Sequence, residues 1–476
     1  MKKLSWSEGR SMAAIFSAAL LLDLSVRSLF YNFDGVACAI AVELSDFKHL
    51  VHGNHLAYGM VAWCFDRLWR IFGYKGQALL ALQTLDAILG AAGAAVFASL
   101  LRRMGRGERE AVLGAAALAV SHAWWFWSLE AQVYMLGALF AALAAREALS
   151  DKPRPALTGL WHAGAILGHV CHLMALPAIV YSLTRKRSRG DLLPYMTSLF
   201  VAVAVPYACA GLFFVHPSSL VELKIWLMGS AALGNDRAFS WHSIAFSSAV
   251  PEWTATTLRI FIEFVGRKGL FLSVGVILAL LPLVAAARAA VDRTRESTFW
   301  ILWLAGYALL FLSWEPGTIV YRIPDLIALW ALATLGLQTM PQRLRLGAMI
   351  AWTSAAFAFN LVFVVRPAST FANNPDLVEA IWTKTSSPEN AWILANGRGA
   401  VYTSYFAGRR PVNLRYYTDE AALHARLDAL TKSGEVVYVS GRTLEEEGLR
   451  AKLERYGLQP VASAPALSMF RVGRAK

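Results

Sequence analysis

Three features of the sequence predict a mainly α-helical, polytopic membrane protein of about eleven spans, resembling in outline a large bundle with a small extracytoplasmic α/β domain at its C-terminal end. Hydrophobic residues make up 57% of the 476 and charged residues only 16%, a balance outside the soluble norm. Apolar runs of roughly 17 to 25 residues, the length that crosses a bilayer, recur through residues 1–366. Over residues 367–476 no run could span, and helix and strand patterns alternate.

Spans are expected near 12–31, 77–101, 110–128, 129–149, 192–215, 268–287, 298–314, 319–337 and 345–365. The start, "MKKLSWSEGRSMAAIFSAALLLDLS", has the basic and apolar regions of a signal peptide. Asp23 and Arg27 interrupt its apolar run and more spans follow, so an uncleaved first helix is expected. The net charge of +13 sits largely in short runs between apolar segments, such as "RRMGRGER", "TRKRSRG" and "ARAAVDRTR". Such runs mark cytoplasmic loops, so the charge reports topology and not nucleic-acid binding.

Residues 156–184, "ALTGLWHAGAILGHVCHLMALPAIVYSLT", lie between two of these runs and must cross an even number of times. They read as two short helices turning near His169 and His172. Residues 55–72, "HLAYGMVAWCFDRLWRIF", put Asp66, Arg67 and Arg70 on one narrow edge and read as a helix lying at the interface. Every basic run then falls inside. The expected topology is a multi-pass protein of a bacterial inner (cytoplasmic) membrane, with a cytoplasmic N-terminus and a periplasmic or extracellular C-terminal domain. Residues 32–72, "SLEAQVY", "GHVCH", 216–267 and "SWEPGTIVYRIP" become outer loops, and polar clusters far apart in sequence converge on one face.

The C-terminal domain, 367–476, reads as "PDLVEAIWTK" helix, "AWILANG" strand, "VYTSYFAG" helix, "PVNLRY" strand, "DEAALHARLDALTK" helix, "EVVYVSG" strand, "TLEEEGLRAKLERYG" helix and "SMFRV" strand. That order implies a mostly parallel sheet.

Asp34 follows the first span directly and precedes Gly35. The pair reads as a helix-terminating turn, or as a carboxylate half out of water whose raised basicity lets it accept a proton from a hydroxyl nucleophile. Asp23 and Arg27, one helical turn apart, brace the bundle, or Arg27 at the membrane edge helps hold an anion. His49, His52 and His55 recur at spacings of three, a pattern that can bring two metal ligands onto one face. Gly53 and Asn54 interrupt that helix and no HExxH occurs, so a divalent metal is not favoured. Glu130, between two apolar segments beside Gln132 and Tyr134, needs a partner, whereas the neighbouring Trp residues read as an aromatic belt. His169 and His172 in one outer loop, and Tyr321 and Arg322 in another, are further candidates, of which the His and Arg suit a phosphate through charge-assisted hydrogen bonds. The four Cys residues are scattered singly and read as buried small side chains.

The Asp after the first span, the outer loop running into "HGNHLAYGMVAWCFDRLWRIFGY" and the span ending in a basic loop resemble the membrane-embedded C-type glycosyltransferases, GT-C. "WSLEAQVYMLGALFAALAAREAL" and "GLWHAGAILGHVCHLMALPAIVY" are similar to the bacterial protein O-mannosyltransferase-like membrane family. The resemblance covers roughly residues 12–190. It implies transfer of a sugar from a polyprenyl-phosphate carrier to an acceptor on the outer face, with Asp34 as general base. Glu130 and Tyr134 match the family's Glu-Val-Tyr region, and His169 a polar position of the short-helix turn. The chain departs from its relatives at His52-Gly53-Asn54, where they commonly read His-Pro-Pro, and at Gln132, where their Glu precedes Val-Tyr.

The expected partners are therefore a polyprenyl-phosphate-linked sugar donor, a glycan, lipid or protein acceptor, and membrane lipid, with no organic cofactor. The alternative is a transporter or flippase for a lipid-linked or anionic solute, with Asp23, Arg27 and Asp86 lining its path. Duplicated halves, frequent in transporters, are not found. A third reading is a non-catalytic assembly partner whose outer domain binds other envelope proteins.

Overall fold

The computed structural model describes residues 6–186, 192–228, 246–417, 419–446, 448–464 and 467–475. Residues 229–245 of the expected outer loop 216–267, and 187–190 of the basic run "TRKRSRG", lie outside them. The chain divides into two compact units, Met1–Ser28 with Ala41–Pro367, and Leu29–Ile40 with Ala368–Lys476.

The first unit is helical. Among the described residues six helices are long and apolar enough to cross a membrane: Ala78–Arg103, Leu192–Val215, Gly269–Val291, Arg295–Ser313, Ile319–Thr339 and Gln342–Ala368. A seventh arises if Glu108–Val120 and His122–Ser128, bent by 67°, count as one. Six or seven among the described residues meet that test against about eleven expected, because four expected spans form helices that are more charged or shorter. Trp6–Ser25 carries Glu8, Arg10 and Asp23. Tyr134–Ala148, Pro155–Gly168 and Leu176–Lys186 have 15, 14 and 11 residues. At 1.5 Å per residue the longest of these rises about 22 Å, short of a hydrocarbon core of about 30 Å.

The bend between Glu108–Val120 and His122–Ser128 frees backbone groups that must find partners away from water. His122 and Ala123 donate their backbone N–H groups to the carbonyls of Phe261 and Ile260, both at 2.9 Å. Asn360 Nδ2 donates to the carbonyls of Val120, at 2.9 Å, and Phe261, at 3.0 Å. Ser121 Oγ turns back to the Ala117 carbonyl and accepts from Trp330 Nε1 at 2.9 Å. The bend is therefore held by specific partners from three other segments.

The helix expected over 55–72 spans Leu56–Ile71. Asp66 and Arg70 on its edge form an ion pair of 2.7 Å, and Arg67 donates to Ser45 Oγ at 2.8 Å.

The second unit is a five-stranded sheet, β1 (Trp392–Ala395), β2 (Arg410–Asn413), β3 (Val437–Ser440), β4 (Leu458–Ala464) and β5 (Leu467–Val472), in the order β2-β1-β3-β5-β4. The β1–β2 and β1–β3 pairs are parallel, whereas β5 runs antiparallel to both β3 and β4. The sheet is therefore mixed and not mostly parallel. β4 escapes a reading by alternation because its "LQPVASA" is short of branched and aromatic residues and holds Pro460 beside a register shift, a combination tolerated at an edge. Leu394, Val412, Leu427, Val437 and Val439 form the core between sheet and helices.

Residues 29–40, expected as part of an outer loop of the membrane domain, belong to this second unit. Leu29 N–H donates to the Ala368 carbonyl at 2.8 Å. Asn374 Nδ2 donates to the carbonyls of Leu29 and Phe30 at 2.8 and 2.7 Å, and Tyr402 O–H donates to that of Tyr31. These side chains act as a clasp on the irregular stretch 29–31, ahead of the helix Phe33–Leu44.

Helices Tyr134–Ala148 and Pro155–Gly168 approach so closely that a Cβ on Gly168 would stand 2.6 Å from the Gly137 backbone nitrogen. Gly168→Ala should therefore lower stability by about 1–3 kcal/mol, read as a fall in Tm of the detergent-solubilised protein. Gly9→Ala, whose Cβ meets nothing within 4 Å, should leave Tm unchanged or raise it slightly.

Candidate active site

The site in the first unit is built around an interruption of the helical run. His122–Ser128 stops and Tyr134–Ala148 starts, leaving 129–133, "LEAQV", outside both helices. Glu130, Ala131 and Gln132 are nonetheless buried. Asp86, in the middle of Ala78–Arg103, supplies the anchor: its Oδ2 accepts the Gln132 backbone N–H at 2.7 Å and the Tyr58 hydroxyl at 2.6 Å. Gln83, one turn earlier, donates to the Ser28 and Leu129 carbonyls at 3.0 and 3.1 Å. Ser28 Oγ donates to the Glu130 carboxylate. Glu130 thus has the partner that its burial demands, and Ser28 is held against the same loop. The side-chain amide of Gln132 and Asp86 Oδ1 are buried with no hydrogen-bond partner among the described residues.

The second wall is the turn between the two short helices. His169 is extended, at φ −161° and ψ 129°, and its Nδ1 accepts the Cys171 backbone N–H at 3.2 Å. An accepting Nδ1 leaves the proton on Nε2. Asn54 accepts the Val170 backbone N–H at 2.8 Å, which joins the loop carrying His52 and His55 to this turn. The rings form a ladder: His52 on His55 at 4.3 Å, His55 to His169 at 6.5 Å, and His169 on Tyr134 at 5.0 Å. Tyr321 closes it edge-on to Tyr134 at 5.5 Å, itself backed by Trp314 at 4.7 Å.

His52, His55, Tyr134, His169 and Tyr321 are therefore brought together. His172 is adjacent but occupied, its Nδ1 2.7 Å from the Tyr307 hydroxyl. Arg322 is fully buried: its Nε pairs with Asp325, Nη1 donates to the Trp253 carbonyl and Nη2 to Thr257 Oγ1 at 2.9 Å, and the guanidinium lies 4.5 Å over the Trp253 ring. Such a guanidinium is largely engaged by protein partners. Arg27 is exposed, one residue before the anchored Ser28. Asp34 lies on the second unit, in the first turn of Phe33–Leu44, where its N–H is bonded by Asn32 Oδ1 at 3.0 Å. Solvent reaches this side chain, yet the surrounding protein raises its carboxyl pKa above the ordinary 3.8 by desolvation.

Burial dominates the histidines. It lowers His52 below 6.5, with His49 adding to the effect, lowers His55 well below that value, and takes His169 down to about 3. These rings are neutral at neutral pH. Toward a ligand they offer N–H donors and flat faces. Among the described residues no group of three or more His, Cys, Asp or Glu is placed to hold a metal ion. Tyr58 and Tyr307 were not singled out in the sequence. A lone Asp86 in an apolar helix was the available signal for the anchor.

Because folded His169 stays neutral to about 3 while an unfolded His takes its proton near 6.5, protons favour the unfolded chain as pH falls below 6.5. Stability should drop on acidification by about 2 kcal/mol between pH 6.5 and 5 for this one residue. A Tm series over that range should show the fall, and His169→Gln should make it shallower, with His52 and His55 still contributing.

No protein-family model and no curated protein matches the chain. Solved structures do. ArnT from Cupriavidus metallidurans, bound to undecaprenyl phosphate, is similar with a TM-score of 0.60 at 13% identity, covering 97% of each chain. The oligosaccharyltransferase AglB from Archaeoglobus fulgidus, in complex with an inhibitory peptide and a dolichol-phosphate, has a TM-score of 0.58 at 11% identity, covering 96% of this chain and 73% of that one. The apo form of the same Archaeoglobus enzyme gives 0.59 at 12% identity, over 96% and 74%. Through these likenesses, which span nearly its whole length, the chain is shown to have the fold of the GT-C membrane glycosyltransferases.

Proposed function

We propose that the protein is a glycosyltransferase that takes a sugar from a polyprenyl-phosphate carrier and attaches it to an acceptor hydroxyl on the outer face of a bacterial inner membrane. The observation that carries this reading is the ring ladder beside the pinned 129–133 loop, in a chain whose fold matches a protein bound to undecaprenyl phosphate. Flat neutral rings suit the faces of a sugar, and the apolar helices suit a carrier whose tail stays in lipid.

In the proposed step the acceptor hydroxyl attacks the anomeric carbon and gives its proton to the Asp34 carboxylate. The bond from that carbon to the phosphate oxygen breaks, and the lipid phosphate leaves with the electron pair. Its charge needs a cation. With Arg322 committed to Asp325 and the histidines neutral, Arg27 is assigned that role, held beside the loop by its neighbour Ser28. Glu130, His172 and Arg322 then position the walls, while Tyr134, His169, Tyr321, His52 and His55 face the donor sugar.

Asp34→Asn should insert and fold normally yet lose about 10² to 10⁴ in kcat with a polyprenyl-phosphate sugar; full activity would sink the assignment. A base works only when ionised, and Asp34 has a raised pKa. The wild-type rate should therefore fall on acidification with an apparent pKa above 3.8, through loss of the carboxylate.

Arg27→Gln should cost about 10² in kcat, with partial recovery in Arg27→Lys. The same change should scarcely alter Tm, because Arg27 is exposed. A collapse of Tm in place of a rate loss would make it a structural residue.

A further inference from the structure

The α/β unit contains a cavity of about 220 Å³ that none of the proposed chemistry uses. That volume is room for about seven waters, the size of one sugar ring with its hydroxyls. Its place in the sheet is distinctive. β1 has β2 on one side and β3 on the other, both parallel to it. From its carboxyl end the chain departs through Gly397–Tyr402 toward β2, and from the carboxyl end of β3 through Gly441–Glu446. The two connections diverge and leave a crevice at the point where strand order reverses, the position at which open α/β sheets bind ligands. The cavity is lined by Ala395 and Asn396 at the end of β1 and by Arg442 and Thr443 just after β3.

The lining selects a ligand class. Arg442 donates to Asp376 at 2.8 Å, Glu379 at 3.3 Å and Glu446 at 2.7 Å, and Arg398 pairs with Asp376 at 2.8 Å. Two guanidiniums against three carboxylates disfavour an anion. The carboxylates are each tied to an arginine, and no metal-holding group of three occurs among the described residues. Donors and acceptors alternate around the cavity, with spare lone pairs on the carboxylates, and Asp376, Glu379, Arg398 and Arg442 are only half-buried. Vicinal hydroxyls, each able to donate and accept, complement such a wall. We infer that this cavity is a second binding site, for a neutral, hydroxyl-rich ligand the size of a monosaccharide.

Binding here is independent of any transfer reaction, and a variant of the cavity lining separates it from any sugar held at the ring ladder. Full-length protein in nanodiscs is titrated calorimetrically with D-glucose, D-mannose, D-galactose and L-rhamnose, and with sodium phosphate as competitor. At least one neutral sugar should bind saturably, phosphate should not displace it, and Glu379→Gln should weaken it about tenfold at unchanged Tm. Should Glu379→Gln fail to fold, Thr443→Val is read in its place with the same expectation. Absence of saturable binding by all four sugars, displacement by phosphate, or wild-type affinity in the folded variant would overturn the inference.

Discussion

The buried carboxylate of Asp86 is the constraint on which the membrane unit depends. A charge or polar group in the middle of an apolar helix must find donors, because lipid and packed side chains offer none. Its donors here are the hydroxyl of Tyr58 and the backbone of Gln132. Meeting that need holds 129–133 out of helical geometry inside the protein, which is tolerated where protein satisfies the freed groups. Expected spans 110–128 and 129–149 accordingly become a bent helix, an irregular loop and a short helix. Tyr134, at the restart, is thereby brought onto His169.

Much of this was legible from the chain itself. Apolar run length located the long helices, and the placing of basic runs on one side made 156–184 a pair with its turn at His169, where the structure puts it. Span number was less legible, since hydropathy sees an apolar stretch but not where its helix breaks. The break at Ser121 depends on Phe261 and Asn360, partners with no local trace in "AVSHAWW". The attachment of residues 29–40 to the second unit is of the same kind: Asn374 and Tyr402 lie some 345 and 372 residues from the carbonyls they hold.

The candidate site was legible in membership more than in electrostatics. Tyr134, His169 and Tyr321 assemble from three distant loops that share no sequence neighbour. What residue type could not convey is protonation. Burial disfavours the charged form of His52, His55 and His169, and Arg322 pairs with Asp325. Charge follows from surroundings, and surroundings follow from the fold.

That redistribution bears on how any transfer at this site is arranged. A neutral ladder of rings does not hold a phosphate by charge, so a phosphosugar lying along it would be oriented chiefly through its sugar, by stacking and by N–H and O–H donors. A leaving phosphate gains most from a cation it meets only as charge develops on it, because a cation gripping the ground state equally would not lower the barrier. An exposed Arg27 next to Ser28 suits that division better than a fully buried guanidinium. On the proposed reading, the rigid elements of the site bind the sugar, and Arg27 acts on the bond that breaks.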